Sequence, residues 1–137
     1  MSNKNPIVNI DKNKWPYYKK YASPSTKKEE RPLFSRMIDL FLFAAVYGFK
    51  HCKPQKISPK PERPFRWSNF NDDDSTLIKA IALNVTKDAE VILNKEKMLR
   101  IVEEYANGGI DELISIIEEP GDKEVHILKL LSEIEDE

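Results

Sequence analysis

The sequence predicts an all-α fold: a compact domain of five to six helices with an extended basic N-terminal arm and a proline-rich basic loop after its first core helix. Three observations carry this prediction. From Asn71 onward, apolar residues recur at helical spacing. An apolar stretch, Met37 to Tyr47, lies between a capping residue, Ser35, and Gly48. The long span between these regions holds Pro54, Pro59, Pro61 and Pro64, which exclude a helix and a central strand. A length of 137 residues suffices for one domain with tails.

Taken in order, residues 1–32 read as a basic, partly disordered arm. Four prolines and few apolar anchors leave too little burial to offset ordering costs of about 1–2 kcal/mol per residue. A cluster at Trp15, Tyr17 and Tyr18 is the part suited to pin the arm to the domain or to a partner. Residues 33–137 form a single helical domain. Its first helix begins after Ser35 and stops at Gly48, where a left-handed residue commonly ends a helix. Because its apolar side chains run nearly all round, that helix belongs in the centre. Residues 49–70 form the basic loop, with room for a short edge strand near Ile57. The next helix is capped at Ser75 behind Asp72, Asp73 and Asp74, with Leu77, Ile78, Ile81, Ala82 and Val85 recurring at helical spacing. A short helix follows over Asp88 to Leu93, with Ala89, Ile92 and Leu93 inward. Another runs from Lys95 to Asn107, ended by Gly108, and a further one from Ile110 to Glu118. The last spans Lys123 to Glu133, with Val125, Ile127, Leu128, Leu130, Leu131 and Ile134 as its apolar face.

Charge is sorted along the chain although the net charge is only −1. Residues 1–66 carry 15 Lys and Arg against 5 Asp and Glu, a balance of +10. Residues 67–137 carry 7 against 18, a balance of −11. Blocks of like charge repel unless something neutralises them, so the asymmetry points to a partner of opposite charge or to pairing between the halves. In the loop, Lys50, Lys53, Lys56, Lys60, Arg63 and Arg66 are followed closely by Phe65, Trp67 and Phe70. Cations for phosphates and aromatics for stacking are the ingredients of nucleic-acid contact. The competing reading has the three aromatics packing the loop onto the core, leaving the cations as a solvated rim.

Catalytic chemistry finds no support. Two distant histidines make no Ser-His-Asp arrangement, and Gly108-Gly109 lacks the lysine and hydroxyl of a phosphate-cradling loop. His51 and Cys52 are neighbours that point different ways, and no spacing supplies further ligands, so no metal or cofactor is expected. A lone Cys52 also rules out an intrachain disulfide and fits a small apolar filler. The acidic run Asp72 to Asp74 reads as helix capping, since no calcium-loop spacing follows. The Glu103-to-Gly109 stretch reads as a helix end and tight reversal, with Tyr105 and Asn107 as candidates for a recognition surface. A polar, basic N-terminus and an apolar run of only ten residues, Leu40 to Phe49, lead to the expectation of a cytoplasmic protein without a membrane span.

Three segments, Phe34 to Lys50, Leu77 to Leu93 and Val102 to Leu113, together resemble the DNA phosphorothioation-associated protein 4 family. That family consists of small accessory proteins of DNA-modification loci. Its pattern runs from a Phe-rich helix ending in Ala-Ala and Gly-Phe or Gly-Tyr, through a basic loop, to an Ile-Ala-Leu-Ala helix and then Glu-Tyr-Ala, Asn or Glu, and Gly-Gly. The likeness covers roughly residues 33–118, with Asn84 standing where members tend to have Ala. It implies a prokaryotic DNA-modification or anti-phage defence setting and brings no catalytic residues with it.

These readings lead to a non-enzymatic adaptor that docks a partner protein of the same system through its acidic helical half. One alternative is a DNA-binding regulator with the basic loop on phosphates. Another is a homodimer whose charges pair internally.

Overall fold

The computed structural model describes residues 5–22 and 33–135, and the described residues form five α-helices without a β-strand. They are α1 (Trp15–Tyr21), α2 (Met37–His51), α3 (Asp72–Thr86), α4 (Lys95–Ile117) and α5 (Lys123–Glu135), with short 3-10 turns at Trp67–Asn69 and Ala89–Leu93. The expected all-α class holds.

Local sequence explains where the helices begin. At α3, the Asn71 side chain accepts from the Asp74 N–H at 2.8 Å while the Asp74 carboxylate accepts from the Asn71 N–H at 3.0 Å. This reciprocal capping box places the cap at Asn71, four residues ahead of Ser75. At α2 the Asp39 carboxylate accepts from the Arg36 N–H, so the helix opens after Arg36 and not after Ser35. Asn94 caps α4 through the Lys97 N–H.

Both glycine signals read as helix stops lie inside helices. α2 continues through Gly48 to His51, and α4 runs unbroken for 23 residues through Gly108-Gly109. The glycines serve close packing. A β-carbon at Gly109 would fall 2.6 Å from the Ala44 carbonyl oxygen and 2.7 Å from Gly48 Cα, and one at Gly48 would run into the Tyr105 carbonyl. Real β-carbons do not approach backbone so closely, so α2 and α4 meet backbone to backbone at this point. Around the contact, α4 buries Met98, Val102, Ala106, Ile110, Leu113 and Ile117 in one stripe, against Leu40, Phe41, Ala44 and Ala45 of the central helix.

Residues 5–22 depart from the expected arm. Val8, Ile10, Tyr18, Tyr21 and Ala22 are buried in the core. The Val8 N–H donates to the Phe65 carbonyl at 2.9 Å, and Ile10 and Glu62 exchange two bonds of 2.8 and 2.9 Å. The N-terminal segment thus runs antiparallel to the proline-rich loop in isolated bridges, Ile7 with Arg66 and Ile10 with Glu62. A loop that prolines bar from helix leaves backbone groups to be satisfied, and the N-terminal segment satisfies them. The rest of the expected arm, residues 1–4 and 23–32, lies outside the described residues.

Two smaller expectations also change. In the 3-10 turn Val91 is buried, whereas Ala89, Ile92 and Leu93 are exposed, because three residues per turn put 91 on the inner face alone. In α5 Leu130 is buried and Ile127 half-buried, but Val125, Leu128 and Leu131 face outward. The side chain of Ile134 lies outside the described residues.

Candidate functional site

The proline-rich loop leaves α2 at Cys52 and is fastened along its length. Its first contact depends on Gly108, where a β-carbon would strike the Lys53 carbonyl. With no side chain there, the loop lies on bare helix backbone, and the Gln55 N–H donates to the Glu104 carbonyl at 2.9 Å. Next, the buried Asn107 carboxamide donates to the carbonyls of Lys56 at 2.9 Å and Gln55 at 3.2 Å. Asp11 accepts from the Ser58 and Asn13 N–H groups, each at 2.9 Å. Burial pushes the Asp11 carboxyl upward, but the hydrogen bonds from Asn13, Ser58 and Asn107 outweigh it and hold it below the usual carboxylate range. Lys60 takes a left-handed conformation, φ 59°, to turn the chain toward Glu62.

Beyond the turn the aromatics face inward. Phe65 is buried, edge-on to Phe41 at 5.6 Å and to Phe70 at 5.9 Å. Trp67 is half-buried against Phe70, with the Lys95 ammonium 5.7 Å from its ring centroid. The packing reading of these aromatics therefore holds over the stacking one. With backbone and aromatics turned in, Lys50, Lys53, Lys56, Lys60 and Arg63 are exposed, and none makes an ion pair with another described residue. Arg66 is exposed as well, its guanidinium 3.4 Å from the Asn5 carbonyl.

Three cations elsewhere in the basic half reach carboxylates of the acidic half. Lys14 pairs with Asp111, Lys20 with Glu118 at 3.3 Å, and Arg36 reaches both Asp74 oxygens at 3.0 and 3.1 Å while also holding Asp39. Burial would raise the Asp74 carboxyl, but Arg36 and the Asn71 N–H hold it low. Glu103, 2% exposed, accepts from the Asn9 N–H at 2.6 Å and from Arg100, whose guanidinium also donates to the Ile7 carbonyl at 2.9 Å. Burial dominates there and pushes its carboxyl up to about 7.

A second feature lies where α2 meets α3 and α5 of the acidic half. Phe34, Leu42, Phe43, Val46, Leu77 and Leu131 line an open groove of about 390 Å³ between α2, α3 and α5. Asp39, Asp73 and Asp74 form its polar edge. Asp39 and Asp74 share Arg36 as an ion-pair partner, whereas Asp73 is exposed and makes no ion pair with a described residue.

The family model for DNA sulphur modification system-associated protein 4 matches residues 18–137. The chain belongs to that family. No curated protein and no solved structure matches it. As a member of the sulphur modification system-associated family, the protein is an accessory component of such a system. The family is named for its association with the system. Among the described residues no cluster of His, Cys, Asp and Glu could hold a metal ion, and no helix is long and apolar enough to cross a membrane. Cys52 is half-buried 3.2 Å from Glu112, so burial and then that carboxylate push its thiol up to about 11.

Of the residues marked as partner contacts, Trp15, Tyr17 and Tyr105 are half-buried, and Tyr105 sits edge-on to Phe49 at 5.7 Å. Tyr18 and Asn107 are not available to a partner: the first fills the core and the second holds the loop. Sequence reasoning missed Asp11, Glu103 and the groove residues Leu42 and Leu77. Only Val8 and Ile10 carried a usable signal for the N-terminal segment, in their alternation with Asn9 and Asp11.

Proposed function

We propose that the protein is an adaptor of a DNA sulphur modification system that docks a partner protein of that system through its acidic helical half, over the groove between α2, α3 and α5. The groove is the observation that carries this reading. It is apolar, open and edged by carboxylates, and the exposed Leu128 and Val125 of α5 extend the apolar surface beyond Leu131. A contiguous apolar surface with a charged edge suits a protein interface, where apolar groups lose water at the centre and charges set orientation at the rim. Work on genomic DNA would place such an adaptor in the cytoplasm.

Co-purification with the products of neighbouring modification genes tests the reading. The wild-type chain should retain one of them, and a Leu77→Lys, Asp73→Lys double variant should lose it. Retention by that variant, or no complex with any neighbour, would count against the groove.

A further inference from the structure

We propose that residues 50–63 form a strap that binds the phosphate backbone of duplex DNA without reading its sequence. The strap stands on other residues than the groove and is independent of it. Six of the residues from 50 to 66 are Lys or Arg and one, Glu62, is acidic. Charge alone would not single this segment out, because the basic half has other cations. Outside the strap Lys12 and Lys19 are also exposed without an ion pair to a described residue. What distinguishes the strap is that five such cations share one continuous stretch of fastened backbone. Lys14, Lys20 and Arg36 are engaged by Asp111, Glu118 and Asp74, while Lys50, Lys53, Lys56, Lys60 and Arg63 are exposed and make no ion pair with a described residue.

The backbone beneath them is held. The Lys53 carbonyl lies on Gly108, the Gln55 and Lys56 carbonyls accept from Asn107, the Ser58 N–H donates to Asp11, and Glu62 pairs with Ile10. Cations on a fastened backbone lose less freedom on binding than cations on a loose tail. Counterion release on contact with DNA then supplies the affinity.

The same packing decides the form of nucleic acid. Single-strand binding needs exposed aromatic faces for successive bases. Here Phe65 is buried, Phe70 is half-buried beneath Phe41, and Trp67 is half-buried with Lys95 over its ring. Base readout in a duplex commonly uses a helix or β-ribbon in the major groove, and the strap offers neither. Phosphate contact to a duplex is what remains.

Fluorescence anisotropy with a labelled duplex, titrated across salt, tests this. Five phosphate contacts predict that affinity falls about 500-fold between about 50 and 200 mM salt, from a slope near −0.9 per contact. Lys56→Ala with Arg63→Ala should reduce that fall to about 40-fold and weaken binding at low salt. Both positions are exposed, and an unchanged circular dichroism melt will show that the fold is retained. The Leu77→Lys, Asp73→Lys variant should bind duplex no more weakly than wild type, which separates failure of the groove from failure of the strap. No duplex binding at low salt, a salt dependence unaltered by the strap substitutions, tighter binding to single strands than to duplex, or equal binding to polyglutamate would each overturn the proposal.

Discussion

Gly109 and Gly48 lie so close that a β-carbon on Gly109 would fall 2.6 Å from the Gly48 nitrogen. Replacing a helical glycine by alanine normally gains about 1 kcal/mol in propensity. Here the added methyl meets backbone on the partner helix, which cannot rotate away, and overpacking of this kind costs about 1–3 kcal/mol or more. Gly109→Ala should therefore destabilise the protein despite the better propensity. Urea denaturation should show a lower midpoint, and a raised midpoint would contradict the backbone contact.

Ile10 is buried beneath the loop although it belongs to the basic N-terminal segment. Ile10→Ala should cost about 2–5 kcal/mol, as expected for a core isoleucine. A change within about 0.5 kcal/mol would mean that the segment behaves as a loose arm.

Asn107 ties α4 to the loop through the carbonyls of Gln55 and Lys56. Asn107→Leu should free those carbonyls while leaving the helix intact. Hydrogen exchange should then speed up at the Gln55 and Ser58 amides, with protection retained along Val102 to Ile117. The stability loss should be about 1 kcal/mol, because the released carbonyls can turn to water.

Glu103 makes a pH dependence of definite sign. Its carboxyl is raised in the folded protein to about 7, chiefly by burial, above its ordinary value of 4.5. The folded state therefore binds the proton more tightly than the unfolded chain. This group's contribution is full below about pH 4.5 and is lost as pH rises through about 7. Denaturant midpoints of the wild type should fall from pH 5 toward neutrality, and Glu103→Gln should flatten that fall. An equally steep fall in the variant would assign the dependence elsewhere.

What could be read along the chain was whatever has a local physical signature. The apolar spacing of α3 and α4, the acidic start of α3 and the proline-barred loop are set by contacts within a few residues. Phe65, Trp67 and Phe70 left stacking and packing both open, and Phe41, distant in sequence, decided for packing. The N-terminal segment looked too poor in apolar residues to order. Val8 and Ile10, two of its buried residues, gain from a loop whose unpaired backbone needs a neighbour. That benefit has no local sequence signature.

By itself, then, the sequence determined the helical class, the sorting of charge and the family pattern, because periodicity, composition and motif are local properties. Tertiary structure alone decided what the glycines are for. A glycine that ends a helix and a glycine that lets another backbone approach look alike in a one-dimensional string, and Gly48 meets Gly109 only across 60 residues of chain. It also decided which of the sorted charges stay available. Lys14, Lys20 and Arg36 fall opposite carboxylates of the acidic half, while the cations of the strap do not. The physical reason is common to both outcomes: a close approach or an ion pair depends on distance in space, which sequence separation does not set.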